Sequence, residues 1–128
     1  ALEMLTAGVA AAAAMGQPQC IVIVDKSGVT VGAIRMDGAK YLSLLSATAK
    51  ARTAASSGTA SANIPAEVAP LIAAATKGEV TGLGGGLPIY VNGVLVGGIG
   101  VGSGTADQDR HVAEAAIAAI GGHTRASG

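Results

Sequence analysis

Leu87-Pro88-Ile89-Tyr90-Val91-Asn92-Gly93-Val94-Leu95-Val96-Gly97-Gly98-Ile99-Gly100-Val101 is the stretch on which the fold turns. Two largely apolar runs flank Asn-Gly, the pair favoured in two-residue type I′ turns, and this predicts a β-hairpin. Gly97, Gly98 and Gly100 weaken the second strand intrinsically. They imply a bulge, or something that approaches the backbone closely.

Working outward, Cys20 to Val24 and Val29 to Met36 are again strand-like and surround the turn chemistry of Asp25-Lys26-Ser27-Gly28, which predicts a second hairpin. Between the hairpins, Asp37-Gly38 breaks the strand. Ala39 to Ser57 then reads as a helix with Leu42, Leu45, Ala49 and Thr53 on one side and Ser46, Lys50 and Ser57 on another. A polar loop follows to Asn63, and Pro65 opens a short helix through about Thr76, closed by Gly78. Gly82 to Gly86 holds four glycines in five positions and must be loop. At the ends of the chain, Leu2 to Met15 and Ala106 to Ile120 read as helices, the latter burying Val112, Ala116, Ala119 and Ile120. The order α-β-β-α-α-β-β-α predicts an antiparallel sheet with helices packed on it, an α+β fold, in one domain spanning 1–128.

The 128 residues include 28 alanines and 20 glycines, with eight Lys plus Arg against eight Asp plus Glu. Charged residues are 12%, against about 25% in an average soluble domain. A chain of this size exposes roughly 6,000 Å², so the charge coat is thin, and a net charge of zero favours association. An oligomer subunit is therefore expected. With no basic stripe, and with Tyr41 and Tyr90 as the only aromatics, nucleic acid is excluded as a partner. No apolar run approaches the roughly 18 residues of a membrane span. The Ala-rich start follows Glu3 rather than a basic segment, so neither a membrane span nor a secretory signal is expected. Cys20, the single cysteine, lies in an apolar run and reads as a core thiol, consistent with a cytoplasmic protein.

The glycine clusters match neither a dinucleotide fingerprint nor a phosphate loop. His111, His123 and Cys20 form no recognised zinc spacing. His111 lies four residues after Asp107, so a helical carboxylate-imidazole pair is open to it, whereas His123 sits in a polar tail and reads as untied to the fold. Ser103, between Gly102 and Gly104, makes only half of a nucleophile elbow. Polar residues stand where structure alone does not require them. Arg35 and Asp37 bracket the end of the second strand, Lys50 and Thr53 share a flank of the second long helix, and Asp109 begins the last helix.

Five blocks carry a family resemblance: Val24-Asp25-Lys26-Ser27-Gly28; Arg35-Met36-Asp37-Gly38-Ala39; Ala49-Lys50-Ala51-Arg52-Thr53-Ala54; Gly85-Gly86-Leu87-Pro88-Ile89; and Val96-Gly97-Gly98-Ile99-Gly100-Val101 with Gln108-Asp109 downstream. In this order they resemble the GlcG/HbpS-like family of small haem-binding proteins, which is similar to the C-terminal domain of PduO-type cobalamin adenosyltransferases. The resemblance implies a profilin- or PAS-like, five-stranded antiparallel sheet flanked by helices, with one strand still to be placed. It also implies assembly of homodimers into a larger oligomer, up to an octamer. Some members bind or sense haem, and a few act on small unsaturated acids in aromatic catabolism.

Two functions follow from that resemblance, beside a third reading in which the chain is a structural or regulatory subunit whose polar residues only cap, turn and solubilise. In the first, haem or a related tetrapyrrole lies in a pocket bordered by Thr81 and Gly84-Gly85-Gly86 against the helix carrying Lys50 and Thr53. The Thr81 hydroxyl then faces the iron, and Lys50 or Arg35 neutralises a propionate. In the second, the chain is an enzyme for a small unsaturated or 2-oxo carboxylic acid, muconate-like. Amides of the glycine loop hold an oxyanion, Lys50 or Arg35 the carboxylate, and Asp37, Asp109 or His111 moves a proton.

Overall fold

Three glycines of the second hairpin, Gly98, Gly100 and Gly102, lie directly against a helix. In the computed structural model, which describes residues 1–127, Asn92 and Gly93 both take positive φ, as a type I′ turn requires. The turn joins β3 (Gly86–Val91) to β4 (Val94–Gly102). Ile89 pairs with Gly97 and Tyr90 with Leu95, so Val96 is the extra residue of a bulge beside Gly97. Beyond it, Gly98, Gly100 and Gly102 share one face of β4 and meet α2 (Tyr41–Ser57) at Ala51 and Ala55, at Ala47, and at Ser43 respectively. Two strand residues rise about 6.8 Å and four helical residues about 6.0 Å. The two repeats therefore stay nearly in step, and the helix backbone settles directly on the strand.

Leucine has no room in that seam. Leu42 and Leu45 accordingly turn outward, 69% and 53% exposed, while Ala47, Ala51 and Ala55 are buried against Cys20, Val22 and Val24. Of the side read as Leu42, Leu45, Ala49 and Thr53, backbone proximity thus turns the two leucines outward, whereas Ala49 and Thr53 are buried.

β1 (Cys20–Asp25) pairs with β2 (Thr30–Arg35) on one side and β4 on the other, giving the antiparallel order β2-β1-β4-β3. β1 is buried on both faces, which explains its unbroken apolar run. Its second face, with Ile99, Val101, Leu87 and Ile89, packs under α1 (Leu2–Ala14) and α4 (Ala106–Ala119). Burial pushes the Cys20 thiol pKa up, against smaller opposing effects of Arg35 and Ser103, in keeping with a core thiol.

The sheet has four strands among the described residues, not the five expected. Among those residues the outer edge of β3 is met by a one-residue bridge, in which Tyr90 and His123 exchange two backbone hydrogen bonds of 2.8 and 2.9 Å. His123 is therefore tied to the fold, contrary to the polar-tail reading. α3 (Ala69–Ala75) starts four residues later than the Pro65 signal because Pro70, which lacks an N–H, is accommodated in its first turn. No helix among the described residues is long and apolar enough to cross a membrane.

Candidate functional site

α2 buries three of the polar side chains it carries: Ser43 against β4, Lys50 at 5% exposure and Thr53 at 1%. Lys50 Nζ donates to Val101 O at 2.8 Å and to Asp109 Oδ2 at 3.1 Å, while Asp109 Oδ1 accepts the Gly104 N–H at 3.0 Å. Asp109 holds this position because Thr105 and Gln108 form a capping box that fixes the first turn of α4. Both buried charges are paired and further hydrogen-bonded, the condition under which burial of charge is tolerated. The pair fastens α2, β4 and α4 together.

Gly84-Gly85-Gly86 lies across this pair. Gly85 has φ +114°, and a Cβ there would stand 2.7 Å from Val101 O and 3.2 Å from Lys50 Nζ. The Gly86 amide is already committed to Ser61 Oγ at 2.9 Å. The loop thus covers the ion pair closely, and one of its amides is spent on the fold.

Thr53 Oγ1 donates to Ala49 O at 2.7 Å and accepts the Thr81 N–H at 2.9 Å. The neighbouring Arg52 donates to Gly28 O and to Glu79 Oε1. Two successive residues of α2 therefore hold the Glu79 to Thr81 segment in place. Thr81, Gly82 and Leu83 form one side of an open groove of about 670 Å³, and Asn63, Ile64, Pro65, Ala69 and Pro70 line the rest. That volume lies in the range of small-molecule sites.

Gly84, Gly85 and Gly86 line a separate cavity of about 130 Å³ with Ala106, Asp107 and Arg110, and it meets the Thr81 groove at Ala62. A third cleft, of about 220 Å³, holds Arg110, Arg125, Thr59 and Thr124 and meets the groove at Asn63. Sequence reasoning misses both arginines, which come from α4 and the C-terminal arm that the Tyr90–His123 bridge ties to β3.

The other expected site residues lie apart. Arg35 is exposed on β2 with Nη1 donating to Ala39 O at 3.2 Å, Asp37 is exposed in the turn that follows, and His111 is exposed on α4. Among the described residues, no hydrogen bond or ion pair joins any of the three to Lys50 or Asp109. Likewise, no group of three or more His, Cys, Asp or Glu is placed to hold a metal ion among those residues.

Residues 1–118 match the family described as haem degrading protein HbpS-like. Corrinoid adenosyltransferase PduO of Citrobacter freundii is 35% identical over 123 residues, which cover 92% of this chain and 37% of that protein. The chain thus spans little more than a third of the curated relative it matches. The crystal structure of the PduOC–haem complex superposes with a TM-score of 0.89 at 32% identity, covering 96% of this chain and 93% of that one. A double mutant of Streptomyces reticuli HbpS gives a TM-score of 0.82 at 32% identity, covering 95% of this chain and 84% of that one. By the extent of the family match and the identity to PduO, the chain belongs to the HbpS-like family.

Proposed function

We propose that this protein binds haem or a related tetrapyrrole in the Thr81 groove. The observation that carries the reading is a groove of about 670 Å³ with an apolar wall and a single hydroxyl-bearing residue, Thr81, whose backbone is pinned by buried Thr53. The family description and the haem complex of PduOC support it.

The residues fit a flat apolar group. Ile64, Pro65, Pro70 and Leu83 offer hydrocarbon surface to shield one ring face from water, and Gly82 leaves space that a Cβ would close, standing 3.0 Å from Ala69 Cβ. Bound haem would supply an iron centre able to accept an oxygen ligand, and the Thr81 hydroxyl is the side chain here that suits that role. Thr53 acts at one remove, by fixing the Thr81 backbone. Apoprotein titrated with hemin is expected to give a saturable Soret shift. A spectrum indistinguishable from free hemin would overturn the reading.

The enzyme reading draws less support. Lys50 is enclosed with Asp109 instead of offering its charge to a substrate carboxylate, and the Gly86 amide is committed to Ser61.

Self-association is part of the same proposal. β2 is an edge strand, and its apolar residues stay exposed, Val31 at 55% and Ile34 at 37%. An unpaired edge of this kind is a template for pairing. Tyr41, Leu42 and Leu45 add exposed apolar surface on α2. Homodimers built into a larger oligomer, up to an octamer, would cover these faces. Light scattering is expected to give a mass of at least two chains, lowered by the double substitution Leu42→Glu and Leu45→Glu. A monomeric mass for the unsubstituted protein would contradict this. The single buried thiol, Cys20, suits the cytoplasm, where we place the protein.

A further inference from the structure

The cleft beside the Thr81 groove gathers positive charge that the fold does not use. Arg125 makes no ion pair among the described residues. Arg110 pairs there with Glu114, Nε to Oε2 at 3.5 Å, with both side chains about half exposed. A pair that exposed contributes little to stability. The fold thus gains little from bringing these two arginines together. Yet it does so, because the Tyr90–His123 bridge ties the C-terminal arm to the edge of β3 two residues before Arg125.

The remaining polar lining is neutral. Thr59, Asn63 and Thr124 line the cleft with hydroxyl and amide groups, and no acidic residue among those described lines it. Asp107 borders only the neighbouring glycine cavity, and Glu114 lines neither. Guanidinium groups beside neutral donors make a carboxylate-binding site, since each arginine offers a planar fork of donors. Asn63 lines both this cleft and the apolar groove, so the two adjoin there.

We propose that Arg110 and Arg125 form the carboxylate subsite of this protein, taking the acid groups of the molecule whose apolar body occupies the Thr81 groove. The proposal rests on the tetrapyrrole reading above. It assigns to these arginines the neutralising role that Lys50 cannot perform from inside its ion pair and that Arg35 cannot perform from β2.

The test compares hemin with its dimethyl ester, in which both propionates are masked, on the unsubstituted protein and on the Arg110→Gln, Arg125→Gln double variant, each read by Soret titration. The unsubstituted protein is expected to prefer the diacid by roughly tenfold or more, the effect of losing one charge-assisted contact. The double variant should bind both forms alike, with hemin weakened to the level of the ester. Arg110→Lys with Arg125→Lys should restore part of the preference, and an unchanged thermal unfolding curve would show that the exposed substitutions leave the fold intact. Equal hemin affinity in the unsubstituted protein and the double variant would overturn the subsite while leaving the tetrapyrrole reading standing. No saturable binding of hemin or ester by the unsubstituted protein would overturn both.

Discussion

Asp109→Ala is expected to destabilise the fold by about 3–5 kcal/mol, because it leaves the Lys50 ammonium buried without its counter-charge. The side chains are 6% and 4% exposed, so water cannot substitute for the missing carboxylate. The Gly104 amide loses its acceptor in the same step. Against a total stability of about 5–15 kcal/mol, this is a large fraction, and the urea midpoint should fall accordingly. Replacing both partners by apolar residues, Lys50→Met with Asp109→Leu, should cost much less, since no unpaired charge then remains. A loss below about 1 kcal/mol for the single variant, the range of exposed pairs, would mean that the pair is solvated. It would also remove the reason for the glycine loop lying over it.

The second large effect belongs to Gly100→Ala. An added Cβ would overlap the Ala47 carbonyl oxygen and stand 2.7 Å from the Ala51 amide nitrogen, so it strikes helix backbone on both sides. Overpacking usually costs about 1–3 kcal/mol when side chains can move aside. Here α2 itself must lift from the sheet, and a loss of at least about 3 kcal/mol is expected, at the upper end of that range, with the thermal midpoint falling sharply. Gly78→Ala is the matched control. Its φ is +82°, but nothing lies within 4 Å of the added Cβ, so only conformational strain of about 1–2 kcal/mol should appear. Equal losses in the two variants would show that glycine serves β4 through backbone freedom and not through contact.

The same seam separates signals that are local in the sequence from those that are not. The Asn92-Gly93 turn, both hairpins and the long helices follow from local patterns, because turn chemistry and helix stops act over a few residues. The burial of α2 does not follow from its leucines. The signal that decides it is the period-two spacing of Gly98, Gly100 and Gly102, set against Ser43, Ala47, Ala51 and Ala55 at every fourth residue, and it emerges only when strand and helix are considered together.

The site is legible to a smaller degree. Lys50, Thr53, Thr81, the glycine loop and Asp109 all stand out in the sequence, yet their pairing does not. An ion pair 59 residues apart leaves no periodic trace. Thr53 accepts the Thr81 N–H across 28 positions of chain, and the glycines line the smaller neighbouring cavity. Arg110 is masked by its helical partner Glu114, while Arg125 looks like part of a polar tail. They meet through backbone contacts distant in sequence, among them the Tyr90–His123 bridge, which among the described residues also marks the outer edge of β3.

The position of the iron in crystals of the hemin-loaded protein checks the proposal that a tetrapyrrole lies against the Thr81 groove. The anomalous iron signal is expected beside Thr81, between the Asn63–Pro65 wall and Leu83, with ring density reaching toward Arg110. An iron bound elsewhere on the chain, or hemin-treated crystals with no iron signal at that wall, would overturn this placement.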